Sequence, residues 1–203
     1  MLDSGVGFHT DLWPAPQQFD FVGRPTDPQY GVNDFWGHGS HVSGVIAGDG
    51  WGSDGALRGV APYADILSLR VLDSEGQGVV SDVIAALDWL LVNGDAYGIR
   101  VVNMSLGKGV EESADTDPLV AAAEQLWDAG IVVVASAGNY GRDGHGTVTS
   151  PGNSPKVITV GSWTDEGTVD YTKPIVNGPT TVGFDTFFGI SGSLDMPPYC
   201  FIE

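Results

Sequence analysis

Apolar positions along this chain recur with two periods, and the alternation between them is regular. Residues 38–47 carry Val42, Val45, Ile46 and Ala47 at helical spacing. A Gly-rich loop, 48–59, leads into the run Ala64-Asp65-Ile66-Leu67-Ser68-Leu69-Arg70-Val71-Leu72, which reads as a strand. After the turn 73–76, residues 79–92 predict an amphipathic helix. Ser81 is its candidate cap, and Val83, Ile84, Leu87, Leu90 and Leu91 form its buried face. Residues 99–104 form a short apolar strand. Pro118 to Ala129 predicts a further helix stopped by Gly130, and 131–135 and 156–160 are two more apolar strands. Met1 and Leu2 read as the end of a strand turning at Asp3, so an upstream portion of that strand is expected. Between Gly7 and Asp34, Pro14, Pro16, Pro25 and Pro28 break any period, and the stretch reads as loop. No internal repeat stands out.

Strands alternating with helices imply an α/β fold, a parallel sheet with helices on both faces. In such folds the reactive groups gather at the carboxyl ends of the strands. Candidate polar residues fall at those ends: Asp3 after the first strand, Ser105-Leu106-Gly107 after Asn103-Met104, and Asn139 after Ser136-Ala137-Gly138.

Composition narrows the function. A length of 203 residues suits one domain with a sizeable core, and no apolar run is long enough to span a bilayer. The opening Met1-Leu2-Asp3-Ser4-Gly5 lacks the basic and apolar leader of a signal peptide. The single cysteine, Cys200, excludes an internal disulfide framework. Asp and Glu total 26 against 8 Lys and Arg, a formal net charge of −18, which argues against nucleic acid as a partner. The acidic excess fits either a plain solvated surface or adaptation to salt and cations.

Chemistry enters at Gly37-His38-Gly39-Ser40-His41-Val42-Ser43-Gly44. A histidine between glycines at a helix start is an exposed proton carrier, although a tight turn before a core helix has the same look. His38 and His41 stand at i, i+3, but no third ligand accompanies them, and His41 reads as a packed helical histidine. His9 and His145 fall in loops and receive no role. Asp3 and His38 are two parts of a Ser-His-Asp device, and Asn139 is a donor suited to a developing oxyanion.

These blocks together resemble the subtilisin-like serine proteases. Leu2-Asp3-Ser4-Gly5-Val6 with His9-Thr10-Asp11-Leu12 is similar to the family's aspartate motif, and the Gly37–Gly44 block to its histidine motif, with Ser40 for the usual Thr and Ser43 for the usual Ala. Gly59-Val60-Ala61-Pro62, Val102 to Gly107, Ala135 to Gly141 and Ser150 to Gly161 continue the match in order. The resemblance implies a subtilisin-like doubly wound, mostly parallel sheet, incomplete at both ends, with 1–170 a partial peptidase domain and 171–203 a tail. It implies His38 as general base and acid, Asp3 as the residue that orients it, and Asn139 as oxyanion donor. Ser105, Leu106 and Gly107 would line the substrate cleft, and Asp11 would be a structural calcium ligand. No organic cofactor is implied; peptide or protein substrates, a monomer, secretion, and no nucleic-acid or membrane partner are.

The family's nucleophile motif, Gly-Thr-Ser-Met-Ala, has no counterpart here. Ser191-Gly192-Ser193-Leu194 is a faint echo that puts Leu194 in the nucleophile's place, with Ser191 or Ser193 as substitutes. The expectation is an inactive piece of a serine endopeptidase, truncated or frameshifted; the alternative is a peptide-binding pseudoprotease without a nucleophile. A nucleotide-binding domain is disfavoured, since no G-x-G-x-x-G follows the first strand.

Overall fold

The computed structural model describes residues 1–23, 29–30, 33–141 and 146–161. Its strands are β1 (Leu2–Asp3), β2 (Gln17–Asp20), β3 (Gln29–Tyr30), β4 (Leu67–Arg70), β5 (Val101–Met104), β6 (Val132–Ser136) and β7 (Ile158–Val160). The helices are α1 (His38–Ala47), α2 (Val80–Asn93) and α3 (Pro118–Asp128), with 3-10 turns at Trp51–Ser53 and Gly94–Tyr97. The strands make one sheet in the order β3-β2-β4-β1-β5-β6-β7, parallel throughout except for the β2–β3 pair. The tail beyond residue 161, including Ser191, Ser193, Leu194 and Cys200, lies outside the described residues.

Successive side chains of a strand point to opposite faces, so β1 assigns its two residues to two different layers. Leu2 faces the main core, where Leu69, Met104, Val133 and Ala135 meet Val83, Leu87 and Leu90 of α2 and Leu119 and Leu126 of α3. Asp3 faces the opposite side, where α1 lies: a Cβ on Gly39 would collide with the carbonyl oxygen of Gly5 and come within 3.2 Å of the Asp3 Cβ. Two residues suffice to seat β1 because it is paired on both sides, Leu2 with Leu69 and Met104, Asp3 with Arg70.

Three local readings change. The stretch 7–34 is not all loop, because Gln17–Asp20 pairs with β4 over four residues. Its single apolar position gives no alternation to detect. That residue, Phe19, stacks on Trp89 of α2 with ring centroids 4.7 Å apart, so packing rather than pattern fixes the strand. In α1 the buried stripe is Gly39, Ser43 and Ala47, while Val45 is 53 % exposed and His41 is exposed rather than packed. Small residues at i, i+4 and i+8 let the helix axis approach the sheet more closely than valines could. The cap of α2 is Val79 without a side-chain bond, not Ser81. Asp82, one turn in, is buried instead and accepts the Gly23 N–H at 2.8 Å, tying the segment after β2 to the helix. By contrast α3 starts on a side-chain cap: Asp117 accepts the Leu119 N–H at 2.9 Å, with Pro118 at the first helical position.

Candidate active site

Asp3 ends β1 at the carboxyl edge of the sheet and is fully buried. Its Oδ1 lies 2.7 Å from His38 Nδ1 and also accepts the Ser4 N–H at 2.8 Å. His38 is the first residue of α1, entered through Gly37 in the left-handed conformation, φ 89°. That turn is strained for any residue with a Cβ, which accounts for the glycine before the histidine. The ring keeps 16 % of its surface open. Pairing on both edges of β1 holds Asp3 within reach of His38.

Burial disfavours the charged imidazole, but the hydrogen bond to Asp3 and the charges of Asp3 and Asp34 outweigh it, and the His38 pKa is raised. With Nδ1 bonded to a carboxylate, the proton of the neutral ring belongs on Nδ1. Nε2 is left with a lone pair, the form a general base requires.

Ser105 follows β5, whose Met104 pairs with both Leu2 and Ala135, so Ser105 stands level with Asp3 and Ser136 along one edge. Ser136 Oγ donates to the Leu106 carbonyl at 3.2 Å. Thr149 packs between Gly107 and Gly138, where a Cβ on either glycine would strike its side chain. These contacts draw the 105–107 strip and the segment leading to Asn139 together. Asn139 is exposed and follows β6, two strands from β1, or about 10 Å at ordinary strand spacing. Thus Asp3 and His38 are in direct contact, while the strip and Asn139 form a second group on the same edge.

Asp11 lies elsewhere, in the loop between β1 and β2. Its Oδ1 accepts the Gly52 N–H at 2.7 Å, and its carbonyl accepts the Asp49 N–H at 2.9 Å. Arg58 folds its side chain against Gly50 and Gly55, in the segment after α1 that also carries Asp49 and Gly52. An amide N–H donating to the carboxylate oxygen is the wrong polarity beside a cation. As arranged, these residues do not fit a calcium ion at Asp11.

Three contributors were not singled out from the sequence. Asp34 gathers hydrogen bonds from Ser4, Gly37 and Ser40. An acid just before a glycine-led helix start was the available signal. Thr149 has no such signal. The Lys108–Asp117 ion pair, 2.9 Å, bridges the end of the 105–107 strip to α3 and depends on tertiary contact alone.

The family model described as "Subtilase family" matches residues 1–174. The chain belongs to the subtilase family. It is 39 % identical over 194 residues to serine protease AprX of Bacillus subtilis, covering 90 % of this chain and 43 % of that protein. To subtilisin DY of Bacillus licheniformis it is 38 % identical over 164 residues, covering 80 % and 54 %. The solved structure of Sphericase superposes with a TM-score of 0.70 at 34 % identity, covering 82 % of this chain and 54 % of that one. This subtilase chain therefore spans about half the length of the relatives it matches. Their fold is its fold, an α/β architecture around a mostly parallel sheet, and the family's substrates are peptides and proteins. No helix among its described residues is long and apolar enough to cross a membrane.

Proposed function

We propose that this chain supplies the base, its orienting acid and the oxyanion donor of a serine endopeptidase. The 2.7 Å contact between Asp3 Oδ1 and His38 Nδ1 is the observation that carries this reading. In the reaction, His38 Nε2 takes the proton of a serine hydroxyl as the oxygen attacks the scissile carbonyl, then returns it to the leaving amine. Asp3 holds the ring in the productive tautomer and stabilises the imidazolium without itself being protonated. Asn139 donates to the tetrahedral oxyanion, a role worth roughly 10²–10³ in turnover in this class of enzyme. The backbone of Ser105, Leu106 and Gly107 receives an extended peptide as an added strand. The protein acts as a secreted monomer without an organic cofactor.

No Gly-Thr-Ser-Met-Ala is present, so the 203-residue chain is not expected to hydrolyse peptides at a useful rate. The test is hydrolysis of casein and a chromogenic peptide by this chain and by the complete reading frame that contains it, each with a His38→Ala variant. The expected result is activity of the complete frame that His38→Ala abolishes. Activity unaffected by His38→Ala would overturn the role of His38. Robust, His38-dependent turnover by the 203-residue chain would instead place the nucleophile at Ser191 or Ser193. A complete frame that binds peptides without cleaving them would establish the pseudoprotease.

A further inference from the structure

Two hydrogen-bond relays cross from the turn after β1 to the start of α1, and both end on one carboxylate. In the first, the Gly39 N–H donates to Ser4 Oγ at 3.0 Å and the Ser4 hydroxyl donates to Asp34 Oδ1 at 2.8 Å. In the second, the Gly7 N–H donates to Ser40 Oγ at 2.8 Å and the Ser40 hydroxyl donates to Asp34 Oδ2 at 2.7 Å. The N–H groups of Gly37 and Ser40 close on the same two oxygens, each at 2.8 Å. Ser4 and Gly7 belong to the turn that presents Asp3, and Gly39 and Ser40 to the helix that presents His38. Each relay therefore joins a group from the turn after β1 to a group from the start of α1, one from either side of the Asp3–His38 contact.

We propose that Asp34 is a positioning residue for the reaction, fixing the Asp3 carboxylate and the His38 imidazole in hydrogen-bond register. The proposal rests on the reading of Asp3 and His38 as the working pair. A simple helix cap would need only the Gly37 and Ser40 N–H groups. The two serine relays reach past the helix to the turn after β1, and a cap has no use for them. Four donors meet two oxygens here, so both must accept, as only a carboxylate allows. An asparagine would turn one acceptor into a donor facing the Ser4 and Gly37 pair or the Ser40 pair. The charge acts in the same direction. Asp34 sits ahead of a helix N-terminus, where an anion is favoured, and with Asp3 it favours the protonated His38 ring. The two carboxylates reach His38 from β1 and from the loop before α1, while His41 on the same helix is exposed.

The test uses nitrogen-15 and proton NMR of the 203-residue chain, following the His38 Nδ1 proton and the ring's titration in Asp34→Asn, Asp34→Ala and Ser40→Ala. Val133→Ala, which opens a cavity in the core on the far face of the sheet, is the control for general destabilisation. In Asp34→Asn the Nδ1 proton is expected to exchange about tenfold faster or more, the effect of losing a partly buried charged acceptor, and the ring's pKa is expected to fall. Ser40→Ala is expected to show a smaller change of the same sign, and Val133→Ala none. Should Asp34→Ala not fold, Asp34→Asn and Ser40→Ala decide. Wild-type exchange and titration in both would overturn the proposal, as would an equal change in Val133→Ala. None of these readings needs a nucleophile, so they stand apart from the hydrolysis assay. A complete frame without activity whose His38 signals still depend on Asp34 would sink the protease reading and leave the positioning role in place.

Discussion

Replacing Asp117 by alanine removes two things at once, and the structure separates them. Asp117 is fully buried, caps α3 through the Leu119 N–H, and faces the Lys108 ammonium at 2.9 Å. Loss of the cap costs about 1 kcal/mol. Leaving a charge without its partner in a fully buried site costs roughly 3–5 kcal/mol, but Lys108 keeps 21 % of its side-chain surface open, and water there reduces the penalty to about 1–3 kcal/mol. Together they predict a loss of about 2–4 kcal/mol, read by urea denaturation at neutral pH. Asp117→Asn keeps the capping oxygen, so its cost should be smaller than that of Asp117→Ala. The double variant Lys108→Met, Asp117→Asn should cost less than the sum of its parts, because no charge is left stranded. Burial alone would raise the Asp117 pKa, but the Lys108 ammonium 2.9 Å away, the nearby Ser150 hydroxyl and the Leu119 N–H lower it overall. A carboxylate with a depressed folded pKa adds stability that is present above its unfolded pKa and is lost as pH falls through the folded one. Wild type should therefore lose this contribution below about pH 4, and Asp117→Asn should lack that part of the slope. A loss under about 0.5 kcal/mol for Asp117→Ala, the range of ordinary surface changes, would refute the reasoning.

Other outcomes follow from the same contacts. Gly39→Ala should destabilise by roughly 1–3 kcal/mol by overpacking, and it should disturb the His38 Nδ1 signal, because its new methyl meets the Gly5 carbonyl. His38 has a raised pKa, so its contribution to stability is complete below the unfolded value and lost as pH rises through the folded one. His38→Gln should flatten the stability profile in that window, measured by thermal melts across pH. Asp11→Ala should cost about 1 kcal/mol through its bond to Gly52, by an amount that a calcium chelator does not change. Molar salt should raise the melting temperature, since it screens repulsion among 26 acidic residues.

What was legible in the sequence was what rests on period and on local chemistry. The α2 and α3 helices and the strands from β4 to β7 are carried by apolar spacing, while Asp3 ends β1, His38 begins α1 and Asn139 closely follows β6, all at the carboxyl edge of the sheet. What escaped depends on contacts between distant segments. Gln17–Asp20 is a strand because β4 and Trp89 hold it. The buried face of α1 is made of Gly39, Ser43 and Ala47, whose smallness rather than hydrophobicity is what the sheet demands. Asp34 lies 31 residues after Asp3 in a stretch that reads as loop, and only folding brings it to Ser4 and Ser40. The acidic Asp11 invited a cation, yet its neighbours in space are amide donors that no spacing rule reveals.

The measurement that bears most directly on the central claim is the rate at which a fluorophosphonate labels the complete reading frame, followed across pH and in Asp3→Asn and His38→Ala variants. Labelling is expected to rise as His38 loses its proton, with a midpoint matching the ring's own titration by NMR. Asp3→Asn should slow it by about 10⁴-fold, as misorienting the ring does in serine proteases, and His38→Ala should slow it at least as much. A labelling rate that ignores both substitutions, or a midpoint unrelated to His38, would contradict the account.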